Sequence, residues 1–183
     1  MMPFSDHFCA LLENGLLRCI PEPHGCFLSS STSSDGCPEE MLVNLAIAAG
    51  PGGQCALREG RVFCMGVYVT PTHRPFDLSE IRGFPTARSV VVGVSHACIL
   101  AHDDSVWCWG NNATGALGYV SDSWSPAPHR VEDLPPIRHI STSGGHVCAL
   151  DHQGAIWCWG RNIDGELGCG VRPIQRTPCR TLP

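Results

Sequence analysis

The sequence predicts an all-β fold of propeller-type repeats, about four blades or hairpin units in a partial or open propeller, stapled by disulfides. Three observations predict it. Four segments of one design recur along the chain. Each is bracketed by two cysteines whose spacing follows the length of a hairpin turn. Abundant glycine and proline, with β-branched residues between them, mark short strands and many turns rather than paired helices.

The four segments are HFCALLENGLLRC (7–19), GQCALREGRVFC (53–64), HACILAHDDSVWC (96–108) and HVCALDHQGAIWC (146–158). Their first cysteines are 46, 43 and 50 residues apart. A period of that length belongs to propeller blades or helical solenoids. In the last segment Cys148 and Cys158 are equidistant from Gln153, so a three-residue loop, 152–154, sets them opposite each other. Such a loop ends on a left-handed residue, and Gly154, Gly15 and Asp104 hold that place in three of the segments. The segment at 53–64 is one residue shorter and needs only a two-residue loop at Glu59 and Gly60 to keep its cysteines in register. Chance spacing has no reason to follow turn length.

The same order surrounds each hairpin. A strand precedes it at 43–50, 87–95 and 137–145, and a loop follows. A proline-marked extended piece then comes at 125–134 and 176–183. Four short strands per repeat make a propeller blade. The chain is read as a single repeat domain, 1–183, with repeats at approximately 1–42, 43–86, 87–136 and 137–183.

At HVCALDHQGAIWCWGRNIDGELG (146–168) the pattern resembles the regulator-of-chromosome-condensation repeat family. The shared positions are Gly145, His146, Ala149, Leu150, Gly154, Trp159, Gly160, Asn162, Gly165, Leu167 and Gly168. The preceding repeat carries His96, Leu100, Trp109, Gly110, Asn112, Gly115, Leu117 and Gly118, and departs at Asp104. The first two repeats match only by register and by the CAL phrase at 9–11 and 55–57. The repeats also resemble those of plant crinkly-type receptor ectodomains, which bear cysteines. The resemblance implies a seven-bladed propeller that serves as a protein-interaction platform. It does not imply the nucleotide-exchange activity of the founding member.

All twelve cysteines pair locally in sequence. The hairpins give Cys9–Cys19, Cys55–Cys64, Cys98–Cys108 and Cys148–Cys158, and two loops give Cys26–Cys37 and Cys169–Cys179. Opposed residues of antiparallel strands have Cα atoms roughly 4.5–5.5 Å apart, within disulfide reach. Metal binding and reduced thiols are the competing readings, but no C-x-x-C or H-x-x-x-H spacing is present. Disulfides place the protein outside the cytosol, as an extracellular or cell-surface chain. The opening MMPFSDHFCALLENG shows no basic segment followed by an apolar core, so a secretory signal is not expected within it.

The formal charge of −5 and the absence of a basic run argue against nucleic acid, and no apolar stretch is long enough for membrane insertion. His7, His96 and His146 recur two residues before a hairpin cysteine and are read as structural hydrogen-bonding groups. Strand alternation puts Trp107 and Trp109, and likewise Trp157 and Trp159, on one face for packing between blades. No catalytic, cofactor-binding or metal site is expected. Asn112 begins an N-glycosylation sequon, although it also holds the motif position of Asn162. The polar loop 29–36 is a place for O-linked sugar. Trp124, with no equivalent in the last repeat, is the aromatic residue expected to meet a partner. The expected function is non-enzymatic: a structural or assembly protein forming an oligomer or fibre through open blade edges, or else a recognition ectodomain or inhibitor. The expected partner is a second copy or another protein.

Overall fold

A computed structural model describes residues 8–11, 17–20, 45–66, 69–70, 79–121, 123–170 and 173–181. Two compact units divide the chain, Met1–Leu45 and Ala46–Pro183. In the first, β1 (Phe8–Leu11) and β2 (Leu17–Ile20) form an antiparallel hairpin in which the backbones of Cys9 and Cys19 are directly opposed. Cys26, Cys37, His7 and the loop 29–36 lie outside the described residues.

The rest forms three four-stranded antiparallel sheets, each a simple meander. Blade I contains β3 (Leu45–Gly50), β4 (Gly53–Arg58), β5 (Arg61–Met65) and β6 (Ser79–Ile81). Blade II contains β7 (Ala87–Val92), β8 (His96–Ala101), β9 (Val106–Asn111) and β10 (Trp124–Arg130). Blade III contains β11 (Ile137–Ser143), β12 (His146–Asp151), β13 (Ile156–Arg161) and β14 (Ile174–Arg180). Contacts between blades join β4 and β5 to β7, and β7 and β8 to β11, so blades II and III each meet the preceding blade through their first strand.

Turn chemistry sets the register. Glu59 and Gly60 both take positive φ, 50° and 76°, as a two-residue hairpin turn requires. In blade II, Ala101 N–H donates to Ser105 O across a three-residue loop that ends on Asp104 at φ 64°. The hairpin cysteines therefore face each other in every blade: Cys55 opposite Cys64, Cys98 opposite Cys108, and Cys148 opposite Cys158. Each of these pairs is bonded, with Cα atoms 4.1, 4.1 and 4.2 Å apart. A fourth bridge, Cys169–Cys179, ties the loop after β13 to the outer strand β14.

Two cores fill the gaps between blades. Between blades I and II, Cys55, Leu57, Val62 and Cys64 pack against Val90, Val92, Ile99 and Trp109. Between blades II and III, Cys98, Leu100, Val106 and Cys108 pack against Ile137, Ile140, Val147 and Trp159. Strand alternation explains the division. In each hairpin the cysteines point to one face of the sheet and their neighbours to the other. Cys55–Cys64 and Cys98–Cys108 therefore lie inside the two blade interfaces, whereas Cys148–Cys158 lies on the far face of blade III.

Candidate interaction site

The recurring polar residues are committed to joining blades and shaping loops. The second tryptophan of each W-C-W phrase reaches back into the preceding blade. Trp109 Nε1 donates to Val69 O at 3.0 Å, and Trp159 Nε1 donates to Ala116 O at 2.9 Å. Gly118 makes room for the latter ring, since a Cβ there would come within 2.9 Å of Trp159 Nε1. The first tryptophans are anchored within their own hairpins, Trp107 to Ser105 Oγ and Trp157 to Asp151 Oδ2. The Trp157 N–H is the largest of the influences that hold the Asp151 carboxyl below its ordinary range.

His96 joins blade II forward to blade III. Thr142 on β11 donates its hydroxyl proton to His146 O at 2.7 Å. Its oxygen therefore accepts from His96 Nε2–H at 2.9 Å, which fixes the neutral tautomer. The ring is 0% exposed, and its Nδ1 has no hydrogen-bond partner. Burial, with a smaller contribution from the neighbouring His146, pushes its pKa down to about 4. Gly93 lies against this ring, at a place where a Cβ would approach to 2.3 Å. A second forward link crosses the rim formed by the hairpin turns. There Asp104 accepts from Arg88 at 2.7 Å and pairs with His152 of blade III at 3.0 Å. Arg88 also donates to Ile137 O at 2.9 Å.

Asn112 organises the loop after β9. Its Nδ2 donates to Tyr119 O at 3.0 Å and Ser121 Oγ at 2.9 Å, while its Oδ1 accepts from Leu117 N at 3.1 Å. Asn162 repeats the arrangement, accepting from Leu167 N and donating to Gly170 O. The sequon asparagine is thus buried with both amide hydrogens in use, which leaves no accessible nitrogen for a glycan in this fold. Trp124 is half-buried at the start of the outermost strand of blade II, opposite Asn111. Among the described residues no group of three or more His, Cys, Asp or Glu side chains is placed to hold a metal ion. Among them, too, no helix is long and apolar enough to cross a membrane.

The side chains that pack blade II onto blade III have equivalents on the far face of blade III, where no described strand of residues 46–183 packs against them. Val106 is 1% exposed and its equivalent Ile156 is 46% exposed. Cys148, Leu150 and His146 are half-exposed, whereas Cys98, Leu100 and His96 are buried. This face is the apolar surface that the three-blade stack presents. Its sequence signal is the repeat itself, because a position that is core in one blade is core in the next once a further blade is present. Thr142, Arg88 and Ile156 were not distinguishable from the sequence, since each acts across an interface that local patterning does not register.

Two models described as regulator of chromosome condensation (RCC1) repeat match the chain, one over residues 103–150 and the other over 87–116 and 137–166. No curated protein sequence matches it. Among solved structures, human WBSCR16 superposes at TM-score 0.77 and 21% identity, covering 97% of this chain and 51% of its own. Yeast RCC1 (Prp20), solved with Kap60 bound, superposes at TM-score 0.72 and 16% identity, covering 97% of this chain and 47% of its own. The ectodomain of the Physcomitrella patens receptor kinase CR4 superposes at TM-score 0.50 and 23% identity, covering 86% of this chain and 40% of its own. The chain spans about half the length of these structures or less, and at such identities the likeness is one of fold. With the blades, the W-G and G-x-L-G positions and the matched segments in agreement, residues 87–166 carry regulator of chromosome condensation repeats, on a disulfide-rich propeller-type fold.

Proposed function

We propose that the chain is a non-enzymatic, extracellular protein-binding module that associates with a protein partner through the open face of blade III. One observation carries this reading. Ile156 is 46% exposed where its equivalent Val106 is 1% exposed, so a surface of core composition faces water. Water contact at such a patch costs free energy that a docked protein surface recovers. His96, Asn112, Asn162 and Asp151, which could suggest chemistry, are held in blade links and loop frames. Disulfides support a compartment outside the cytosol, and the similarity to CR4 links the fold to a receptor-kinase ectodomain. Prp20p binds Gsp1p and histones; neither is proposed for this acidic, disulfide-stapled chain. Assembly into an oligomer or fibre is the narrower form of the proposal, with a second copy as the partner.

A second reading places the contact on the rim opposite the hairpin turns, where half-buried Trp124 lies in the same blade II segment as Val120, the most exposed large apolar residue among those described. Sedimentation velocity over a wide concentration range, with the native chain and Ile156→Asp, tests self-association. A mass that rises with concentration only in the native chain supports copies docking through blade III. If the chain stays monomeric, a photo-cross-linker at position 156 in its native fluid should join it to a protein, and one at exposed Gln153 should not. Failure of both experiments, with adducts formed only at position 124, refutes the blade III reading in favour of the rim.

A further inference from the structure

We propose that blade III carries a disulfide relay, in which Cys158 exchanges its bond between Cys148 and Cys179 and an external dithiol supplies the electrons. The basis is a row of cysteines across three strands. Cys148 on β12 is directly opposite Cys158 on β13, and Cys158 is directly opposite Cys179 on β14. Opposed residues of an antiparallel sheet project to one face, so the three sulfurs belong to one side of the blade. The bonds formed are Cys148–Cys158 and Cys169–Cys179, and Cys179 Sγ lies 3.1 Å from Cys158 O. Cys158 is thus bonded to one ladder neighbour while its other ladder neighbour is a second cysteine.

The other two blades lack this row. The residue opposite the second hairpin cysteine is Ser79 in blade I and His129 in blade II. In blade II the His129 ring packs against Tyr119 at 5.4 Å between centroids, and the Tyr119 hydroxyl donates to Cys108 O at 3.1 Å. Fifty residues further on, Cys179 replaces His129 and Cys169 replaces Tyr119. An aromatic pair therefore secures the outer strand in blade II; a cysteine pair secures it in blade III and adds a sulfur beside Cys158. Exposure sets the order of events. Cys169, Cys179 and Cys148 are half-exposed, whereas Cys158 is 2% exposed. A reductant in solution meets the ends of the row, and Cys158 is reached from within the sheet.

The exchange runs in two steps. A thiolate of the dithiol attacks the Cys169–Cys179 bond, and its second thiol resolves the mixed disulfide. The dithiol gives up two electrons and two protons and closes into its own disulfide, while Cys169 and Cys179 become thiols. Cys179 then loses its proton to solvent and attacks Cys158 Sγ. The Cys158–Cys179 bond forms as Cys148–Cys158 breaks, and Cys148 leaves as a thiolate that takes a proton from water. The entering and departing sulfurs belong to strands on opposite sides of β13, the arrangement that displacement at a central sulfur needs. No electrons are gained or lost in this second step. One disulfide moves a strand outward, and a thiol emerges at Cys148 on the open face, whether or not that face binds a partner.

The test treats the oxidised full chain with one equivalent of dithiothreitol at mildly alkaline pH, where thiolate is present. Acid quenching, alkylation and peptide mapping without further reduction then locate the thiols and the bonds. At least about a tenth of the chains that have lost one disulfide should carry thiols at Cys148 and Cys169 and a Cys158–Cys179 bond, since a bond between directly opposed cysteines replaces another of the same kind. Thiols confined to Cys169 and Cys179, or to Cys148 and Cys158, overturn the relay. The fraction should not change on tenfold dilution of the chain at a fixed ratio of reductant; a fraction that falls with dilution assigns the exchange to encounters between chains and overturns it too. Two variants check the route without any reductant. In Cys169→Ser the single thiol should be shared between Cys179 and Cys148, within about tenfold of evenly. In Cys179→Ser it should stay at Cys169, which has no ladder position opposite Cys158. Equal labelling of Cys148 in both variants overturns the role of the row. Should either variant fail to fold, the one-equivalent reduction of the native chain decides alone.

Discussion

Acid should weaken the junction between blades II and III through His96. Its ring is buried, its Nε2–H is committed to Thr142, and its Nδ1 has no partner, so a second proton gains no acceptor and loses its hydration. The folded pKa is pushed from 6.5 down to about 4. Below pH 6.5 the unfolded chain takes up a proton that the folded chain refuses, so stability falls as the pH falls, and the loss levels off near pH 4. At about 1.4 kcal/mol per pH unit this amounts to roughly 2 kcal/mol by pH 5 and roughly 3 kcal/mol by pH 4. Carboxylates add their own losses at lower pH. Glu80, held down to about 2 by Arg61 and Arg82, and Asp103, held below its ordinary range by Ser105, both stay ionised across the window from 6.5 to 5. The assay is urea unfolding of the oxidised chain at pH 7 and pH 5, for the native protein and for His96→Gln, whose amide still donates to Thr142. The native chain should lose roughly 2 kcal/mol more than the variant between the two conditions. Equal losses would show that His96 is not the group that senses acid, and would undo the assignment of a neutral, sealed imidazole at this junction.

Two further outcomes follow from burial. Asn112 should carry no glycan in the folded protein secreted from a eukaryotic host, because its amide nitrogen is buried and donates to Tyr119 and Ser121; intact-mass measurement checks this, and a glycan on natively folded chain would contradict the loop geometry. Under a water-soluble phosphine, the half-exposed Cys169–Cys179 and the Cys148–Cys158 pair should open before buried Cys55–Cys64 and Cys98–Cys108; peptide mapping of differentially alkylated thiols gives the order, and early loss of Cys98–Cys108 would mean that blades II and III do not stay packed.

The hairpins were legible because their information is local. Cysteine spacing tracked turn length, so Cys55 opposite Cys64 across a two-residue turn and Cys98 opposite Cys108 across a three-residue turn followed from counting. Alternation likewise separated Trp107 and Trp109 from Cys108, and those tryptophans do pack toward the preceding blade while the cysteine faces the following one. Interfaces were less legible. The three recurrent histidines looked equivalent, but the sequence does not say that His96 is sealed against Thr142, because the partner lies 46 residues away on another sheet. Asn112 shows the same limit from the other side. Its sequon is a three-residue signal, whereas the role the structure gives it depends on Tyr119 and Ser121 across a loop.

The position of the disulfides explains how a blade can keep a core-like face in water. In a closed ring each sheet is held on both sides, and its strands gain register from neighbours as well as from their own ladder. Among the described residues of 46–183, blade III has a neighbour on one side only. Its central hairpin is fixed instead by Cys148–Cys158, which closes a loop of sequence separation 10, and its outer strand is fixed by Cys169–Cys179. A bridge over a loop of that size is worth roughly 3 kcal/mol in the chain-entropy picture. That is of the order gained by burying one or two large aliphatic side chains, such as the exposed Ile156 and half-exposed Leu150 that lack cover here. The staples thus substitute locally for packing that an adjacent blade would supply. The open face can remain structured before a partner arrives, so little ordering entropy is left to oppose docking. Reduction should therefore loosen blade III at its open face before it loosens the sealed junctions, and a preformed docking surface depends on the oxidised state of the chain.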